Sequence, residues 1–211
     1  MEAGNFVCIM GASGSGKTTL LNIIGGLTDF DTGTVRVLGH DLASISEART
    51  SELRLHHIGM VFQDHGLVPD LTAKENIEIV LRARDFTAED SVSAAQEALT
   101  QVGLQGLEDR FPRQLSGGQQ QRVGIARALA GGKELILADE PTGNLDSKTA
   151  EQILTLFRAV VRRFGQTWIM VTHDKHLASF ADTIVSITDG RISDITHVDH
   201  SDEHQTLEVA P

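Results

Sequence analysis

Apolar residues fall along this chain in two rhythms. Continuous short runs, Phe6-Val7-Cys8-Ile9-Met10, Ile58-Gly59-Met60-Val61-Phe62 and Leu135-Ile136-Leu137-Ala138, have the length and bounds of strands buried on both faces. Thr167 to Thr172 and Thr183 to Thr188 add two more strands. Thr34-Val35-Arg36-Val37-Leu38, set between the turn Asp31-Thr32-Gly33 and Gly39, alternates like another. The second rhythm is helical. It runs through Leu20 to Ile24, then through Ile77, Val80 and Leu81 behind the capping box Thr72-Ala73-Lys74-Glu75, then through Val92, Ala95, Leu99 and Val102. A further stripe, Ile153, Leu156, Phe157, Val160, Val161 and Phe164, stops at Gly165. A polar stretch runs from His40 to His57.

Strands alternating with helices predict an α/β fold with a mainly parallel sheet and crossover helices. No strand pattern appears between Asp64 and about Gly132, so residues 64–132 read as a helical insertion. The expected layout is an α/β core from residues 1–63 and 133–196, a helical subdomain over 64–132, and an aperiodic, disordered tail over 197–211.

The stretch Gly11 to Thr19, GASGSGKTT, lies where the first strand gives way to the first helix. A glycine-rich turn at that junction leaves backbone N–H groups unpaired at the positive end of a helix dipole, which makes a phosphate cradle. The spacing of Gly11, Gly16, Lys17 and Thr18 fits the P-loop pattern, in which the lysine reaches the outer phosphates and the following hydroxyl holds Mg²⁺. Ser13, Gly14, Ser15 and Thr19 complete the expected phosphate-binding set.

Two further constellations carry chemistry. Asp139 and Glu140 stand at the carboxyl end of a buried strand, where open α/β sheets bind ligands. Asp139 is placed to hold Mg²⁺ through water, and Glu140 to orient or deprotonate an attacking water. Ser116 and Gln119 form a capping box for the helix through Val123 and Leu129. Gly117 and Gly118 in its first turn cost about 1 kcal/mol each against alanine, which predicts a close backbone approach there, as to an anion.

Composition narrows the class. The net charge of −11 argues against holding nucleic acid through its phosphates and against direct docking on an anionic membrane. No apolar stretch approaches the ~18 residues of a membrane span, and no signal peptide is visible. The single cysteine, Cys8, is expected to pack in a strand, in a reducing cytoplasm. His56-His57 reads as a surface pair, and His197, His200 and His204 as a solvated cluster able to collect a transition metal.

LSGGQ at Leu115 to Gln119, followed by QQRVGIARAL, resembles the signature of the ABC ATPases. With GASGSGKTT, VFQD and LILADEPTGNLD in the same order, the resemblance covers nearly the whole chain. It implies a P-loop NTPase (RecA-like) core that hydrolyses ATP with Mg²⁺. It further implies a head-to-tail dimer in which the P-loop of one chain and Ser116, Gly117, Gly118 and Gln119 of the other enclose each ATP. Gln63 resembles the glutamine that senses Mg²⁺ and the water and tethers the helical subdomain to a membrane partner. Asn144 and Asp146 resemble the loop that crosses the dimer interface, and His173 the histidine that contacts the γ-phosphate.

PTGNLD and GRI at Gly190 to Ile192 look most like the macrolide-exporter and lipoprotein-releasing group. The implied role is the motor of a transmembrane permease, an exporter or lipid extractor, on the inner side of the cell membrane and touching it only through the permease. A non-transport ABC ATPase of the DNA-repair type and a non-hydrolysing regulatory module share some of these motifs. The former carries long insertions before the signature, and Glu140 and His173 speak against the latter. Family members also carry strands before the P-loop and an aromatic residue that stacks on adenine. These strands are expected to be missing here, leaving a sheet edge uncovered. The chain has no tyrosine, and Phe6 lies in the strand leading into the P-loop.

Overall fold

The structure, a computed structural model, describes residues 3–199. Its centre is a six-stranded sheet built from β1 (Phe6–Met10), β4 (Ile58–Val61), β5 (Leu135–Asp139), β6 (Thr167–Thr172), β7 (Thr183–Thr188) and β8 (Arg191–His197), in the order β4-β5-β6-β1-β7-β8. All neighbours are parallel except β7 and β8. The strand leading into the P-loop, β1, is internal, and the edges are β4 and β8.

Period-two alternation places the core on both faces of the sheet. Phe6 and Cys8 of β1, Ile136 and Ala138 of β5, and Trp168 and Met170 of β6 face one cluster. Ile9, Leu135 and Leu137, and Ile169 and Val171 face the other. Strands buried on both sides are what a parallel sheet with crossover helices requires. On the second face lie Leu21 of α1 (Lys17–Ile24) and Leu53 of α2 (Glu47–His57). The first face receives α3 (Ala73–Arg82), α4 (Ala88–Gln101), α5 (Gly117–Leu129) and α6 (Ser147–Phe164). There Trp168 and Phe157 pack with ring centroids 4.4 Å apart, and Phe6 meets both edge-on.

Helix ends follow local chemistry. Thr72 and Glu75 form the reciprocal capping box of α3, Asp146 caps α6, and Gly165 ends α6 with φ 63°. A short helix α7 (Lys175–Ala178), capped by Asp174, lies between β6 and β7. Every described regular element between β4 and β5 is helical: α3, α4, the 3-10 turn Pro112–Gln114 and α5.

Three elements differ from the sequence reading. The strand expected over Thr34 to Leu38 shortens to β2 (Arg36–Val37), paired antiparallel with β3 (His40–Asp41) in a hairpin apart from the main sheet. Leu38 and Gly39 both have positive φ, 49° and 82°, as a tight two-residue hairpin turn demands. The polar stretch before His57 holds α2, capped by Ser46; only Leu53 on it is fully buried, so it has no apolar stripe to read. The third element is β8, an exposed strand whose last residue, His197, pairs with Thr183 where a tail was expected to begin. The rest of that tail call, with His200 and His204, lies almost wholly outside the described residues, among which no group of three potential metal ligands occurs.

One close approach sets a strong test of packing. Gly59 of β4 lies so near α5 that a Cβ there would sit 2.2 Å from the Ala128 carbonyl oxygen and 2.6 Å from Ile136 Cδ1. Backbone cannot yield as a flexible side chain can. Gly59→Ala is therefore expected to cost about 1–3 kcal/mol, the range for overpacked cores, as a lowered urea midpoint at unchanged slope. An unchanged midpoint would show that β4 and α5 separate freely.

Candidate nucleotide site

β1 ends at Met10 and α1 begins at Lys17, so Gly11 to Gly16 form the turn between them. Gly14 and Gly16 have φ of 79° and 95°, the left-handed conformation that a side chain resists. Gly11 is fixed by crowding: a Cβ there would lie 2.4 Å from the Ile187 carbonyl oxygen and 2.6 Å from Ser15 Oγ. Ser13, Gly14, Gly16, Lys17, Thr18 and Thr19 line one side of a cleft of about 580 Å³, with Gln63, Asp139, Glu140 and His173 on the other. Gly11 and Ser15 belong to the loop's underside. Ser15 is buried, and its Oγ has no hydrogen-bond partner among the described residues.

The order of the sheet brings these groups together, because β5 and β1 both flank β6 and all three end on the same side. Thr18 Oγ1 donates to Asp139 Oδ1 at 3.1 Å across 121 residues of sequence. Burial pushes the Asp139 carboxyl above its ordinary range, while the Thr18 hydroxyl pulls it down and Glu140 adds to the rise. Glu140 follows the end of β5 with φ 44°, held by its N–H donating to the Val171 carbonyl and by its own carbonyl accepting from Gly143 N–H. The left-handed backbone is strained for glutamate and sets its carboxylate 2.9 Å from His173 Nδ1. Lys17 is buried, its Nζ donating to the Ala12 carbonyl at 2.8 Å. Cys8, beneath the loop, is buried among apolar groups, which with the Glu140 charge pushes its thiol up to about 12 and keeps it a neutral packing group.

Ser116, Gly117, Gly118 and Gln119 are absent from the lining of this cleft. They open α5, with Ser116 Oγ accepting from Gln119 N–H at 3.3 Å and Gln119 Oε1 accepting from Ser116 N–H at 2.9 Å. Gly118 has a reason for its missing side chain that the sequence did not reveal. A Cβ there would lie 2.6 Å from Thr149 Cγ2 on α6 of the same chain. Gly117 meets only Leu145 at an ordinary 3.7 Å, so no such crowding accounts for its missing side chain. Asp146 holds Thr149 through both carboxylate oxygens, at 2.7 Å to its Oγ1 and 3.1 Å to its N–H, and these bonds keep the Asp146 carboxyl below its usual range. Asn144 stands on the loop between Glu140 and Asp146, and its Nδ2 donates to the Gln63 carbonyl at 3.0 Å.

The sequence reading passed over a group of polar residues behind Gln63. Gln121 is wholly buried in α5, its Oε1 against His65 Nδ1 and its Nε2 donating to the Phe62 carbonyl. Arg127 donates to the carbonyls of His65 and Gly66. The only trace of this in sequence is a glutamine on the apolar side of a helix, one turn before Ile125.

A family profile described as ABC transporter matches residues 1–143. Over 191 residues the chain is 50% identical to the lipoprotein-releasing system ATP-binding protein LolD of Anaeromyxobacter dehalogenans (strain 2CP-C), covering 90% of this chain and 80% of that one. It is 45% identical over 190 residues to the macrolide export ATP-binding/permease protein MacB of Escherichia coli (strain K12), covering 90% of this chain but only 29% of MacB. Among solved structures, the dimeric post-hydrolysis state of the ATP-binding cassette MJ0796 bound to ADP and Pi superposes with a TM-score of 0.86 at 40% identity, covering 94% of this chain and 88% of that one. A cassette fold, a P-loop cleft with two carboxylates at its floor and this degree of identity agree, and the chain belongs to the ABC transporter family as an ATP-binding, ATP-hydrolysing subunit.

Proposed function

We propose that two copies of this chain close head to tail around two Mg-ATP and drive a transmembrane permease from its cytoplasmic side. One observation carries the dimer. The cleft gathers Lys17, Thr18, Gln63, Asp139, Glu140 and His173, while the exposed serine and first glycine of the helix-opening segment, Ser116 and Gly117, lie outside it. A bound nucleotide would thus have one face without a wall, and an outward-facing helix N-terminus on a second copy suits its phosphates. The dimeric state of MJ0796 supports the same reading.

Mg²⁺ fits the residues present. The Thr18 hydroxyl and the Asp139 carboxylate stand 3.1 Å apart at the cleft floor, a hard oxygen pair of the kind such an ion takes, Asp139 acting through water. Held there by Thr18 and Asp139, such an ion would supply positive charge against that developing on the outer phosphates. Lys17 would leave the Ala12 carbonyl for the phosphates, and Gln63 would complete the metal side. Glu140 Oε1 is occupied by His173, which leaves Oε2 to hold the attacking water and accept its proton. His173, held by that contact, would have its other nitrogen free for the γ-phosphate.

The permease side rests on a second observation. Phe62 and Val68 of the loop after β4, and Ile79 of α3, are exposed large apolar residues, and Asn76 of α3 pins Val68 through both its N–H and its carbonyl. Exposed apolar side chains on the loop that carries Gln63 and on the helix that pins it suit a protein partner. Among the described residues no helix is long and apolar enough to cross a membrane. The names of LolD and MacB favour export or lipoprotein release for this chain.

The deciding experiment is the solution mass of the Glu140→Gln variant with and without Mg-ATP. A monomer that doubles its mass only with Mg-ATP is expected. A mass that ignores nucleotide at concentrations saturating for ATP binding would remove the sandwich.

A further inference from the structure

The loop from Phe62 to Gly66 has little regular structure of its own, yet side chains from elsewhere hold its carbonyls. Gln121 of α5 takes that of Phe62, and Arg127 of α5 takes those of His65 and Gly66. His65, at φ 66°, approaches α5 so closely that a Cβ on Gly124 would lie 3.1 Å from its carbonyl oxygen. These anchors are buried or half-buried and belong to one rigid helix. The carbonyl of Gln63 is held differently, by the Nδ2 of exposed Asn144 at 3.0 Å, on the loop between Glu140 and Asp146. The same loop carries the Gln63 side chain: a Cβ on Gly143 would sit 3.0 Å from Gln63 Nε2 and 3.4 Å from its Cδ.

We propose that Asn144 is a positioning residue for Gln63, holding its peptide so that the side-chain amide rests over Gly143 at the rim of the nucleotide cleft. The physical reason is the freedom of the group being held. Gln63 is exposed and has three side-chain torsions, so its amide is placed only if its own peptide is fixed and its stem has a surface to lie on. Asn144 supplies the first condition and the bare backbone of Gly143 the second. Because Asn144 is two residues from Asp146, which caps α6 and holds Thr149 against Gly118, a displacement of this loop moves Gln63 and the α5 N-terminus together. The inference rests on the reading of Gln63 as part of the metal side of the cleft.

The test is calorimetric titration of ATP in a Glu140→Gln background, once with Mg²⁺ and once with EDTA, alongside the Mg²⁺ dependence of ATP hydrolysis in chains that keep Glu140. Asn144→Ala and the near-isosteric Asn144→Asp, which lacks the donor, are each combined with Gln63→Ala. Both Asn144 variants are expected to reduce by about three- to tenfold the factor by which Mg²⁺ tightens ATP binding, the scale of one hydrogen bond, with affinity in EDTA changed less than twofold. They are expected to raise the Mg²⁺ midpoint of hydrolysis by a similar factor, and to add nothing once Gln63 is alanine. If Gln63→Ala alone leaves the Mg²⁺ effect intact, the reading of Gln63 falls and this inference with it. If Gln63→Ala impairs it while the Asn144 variants do not, or if the two effects multiply, only the inference is overturned. Equal weakening of ATP binding with and without Mg²⁺ would likewise overturn it, as the mark of a general interface role.

Discussion

Replacing Glu140 by glutamine is expected to leave ATP affinity within about threefold of the parent chain while lowering turnover by about 10²- to 10⁴-fold, the usual contribution of a positioned general base. The two side chains have the same shape, and neither is β-branched, so the left-handed backbone at φ 44° tolerates one as it does the other. The amide oxygen can still accept from His173 Nδ1 at the position now 2.9 Å away. What disappears is the negative charge and the capacity to take a proton from water, and nothing else lining the cleft matches Glu140 for that role. Asp139 is committed to Thr18, and burial raises its carboxyl above the ordinary range, so it is a poor substitute in place though not in basicity. Steady-state hydrolysis and calorimetric ATP binding on the same preparation decide the matter. Hydrolysis within threefold of the parent would move the base elsewhere.

Lys17→Ala should fail one step earlier. The ammonium is buried on the loop it belongs to, satisfied by the Ala12 carbonyl at 2.8 Å. Moving it from that carbonyl to a phosphate exchanges a neutral acceptor for a charged one inside a partly enclosed cleft, so the contact is worth far more with ATP bound than without. Truncating one partner of such a pair costs about 2–5 kcal/mol, and each 1.4 kcal/mol is tenfold in affinity, so ATP binding is expected to fall by about 30-fold or more. The folded chain loses one hydrogen bond, about 0.5–1.5 kcal/mol, which thermal melting would register as a small shift. Unchanged ATP affinity in calorimetry would mean that the backbone N–H groups of the loop bind the phosphates without the lysine. A collapsed melting temperature would mean that its main task is to brace the loop.

The architecture of this cleft is legible in the sequence wherever it is local. A glycine-rich turn between a buried run and a helix can be read because its parts are consecutive, and it lies where expected, with left-handed backbone at Gly14 and Gly16. Capping boxes at Thr72 and Ser116 close over three residues, so their sequence spacing and their geometry are one fact. The misreadings have the opposite character. Helix α2 shows no apolar stripe because it rests on Leu53 and on Arg54 reaching the Gly26 carbonyl, contacts supplied by a distant turn. Strand β8 is exposed along its length and exists through its ladder with β7. The packing of Gly118 on Thr149 is likewise invisible from position 118, because the two meet only in the folded chain.

By itself, then, the order of residues determined which segments become strands and helices in the core, where a glycine-rich turn joins a strand to a helix, and which carboxylates stand at a strand end. It did so because buried runs, turn glycines and caps act within a few bonds of one another. Tertiary structure decided which of these meet. Only the placing of β6 between β5 and β1 sets Thr18 against Asp139, and only the loop after β5 joins Asn144 to Gln63 across 81 residues. Such pairings depend on which apolar faces bury each other and in what register, a property of the whole packed chain that no single segment contains.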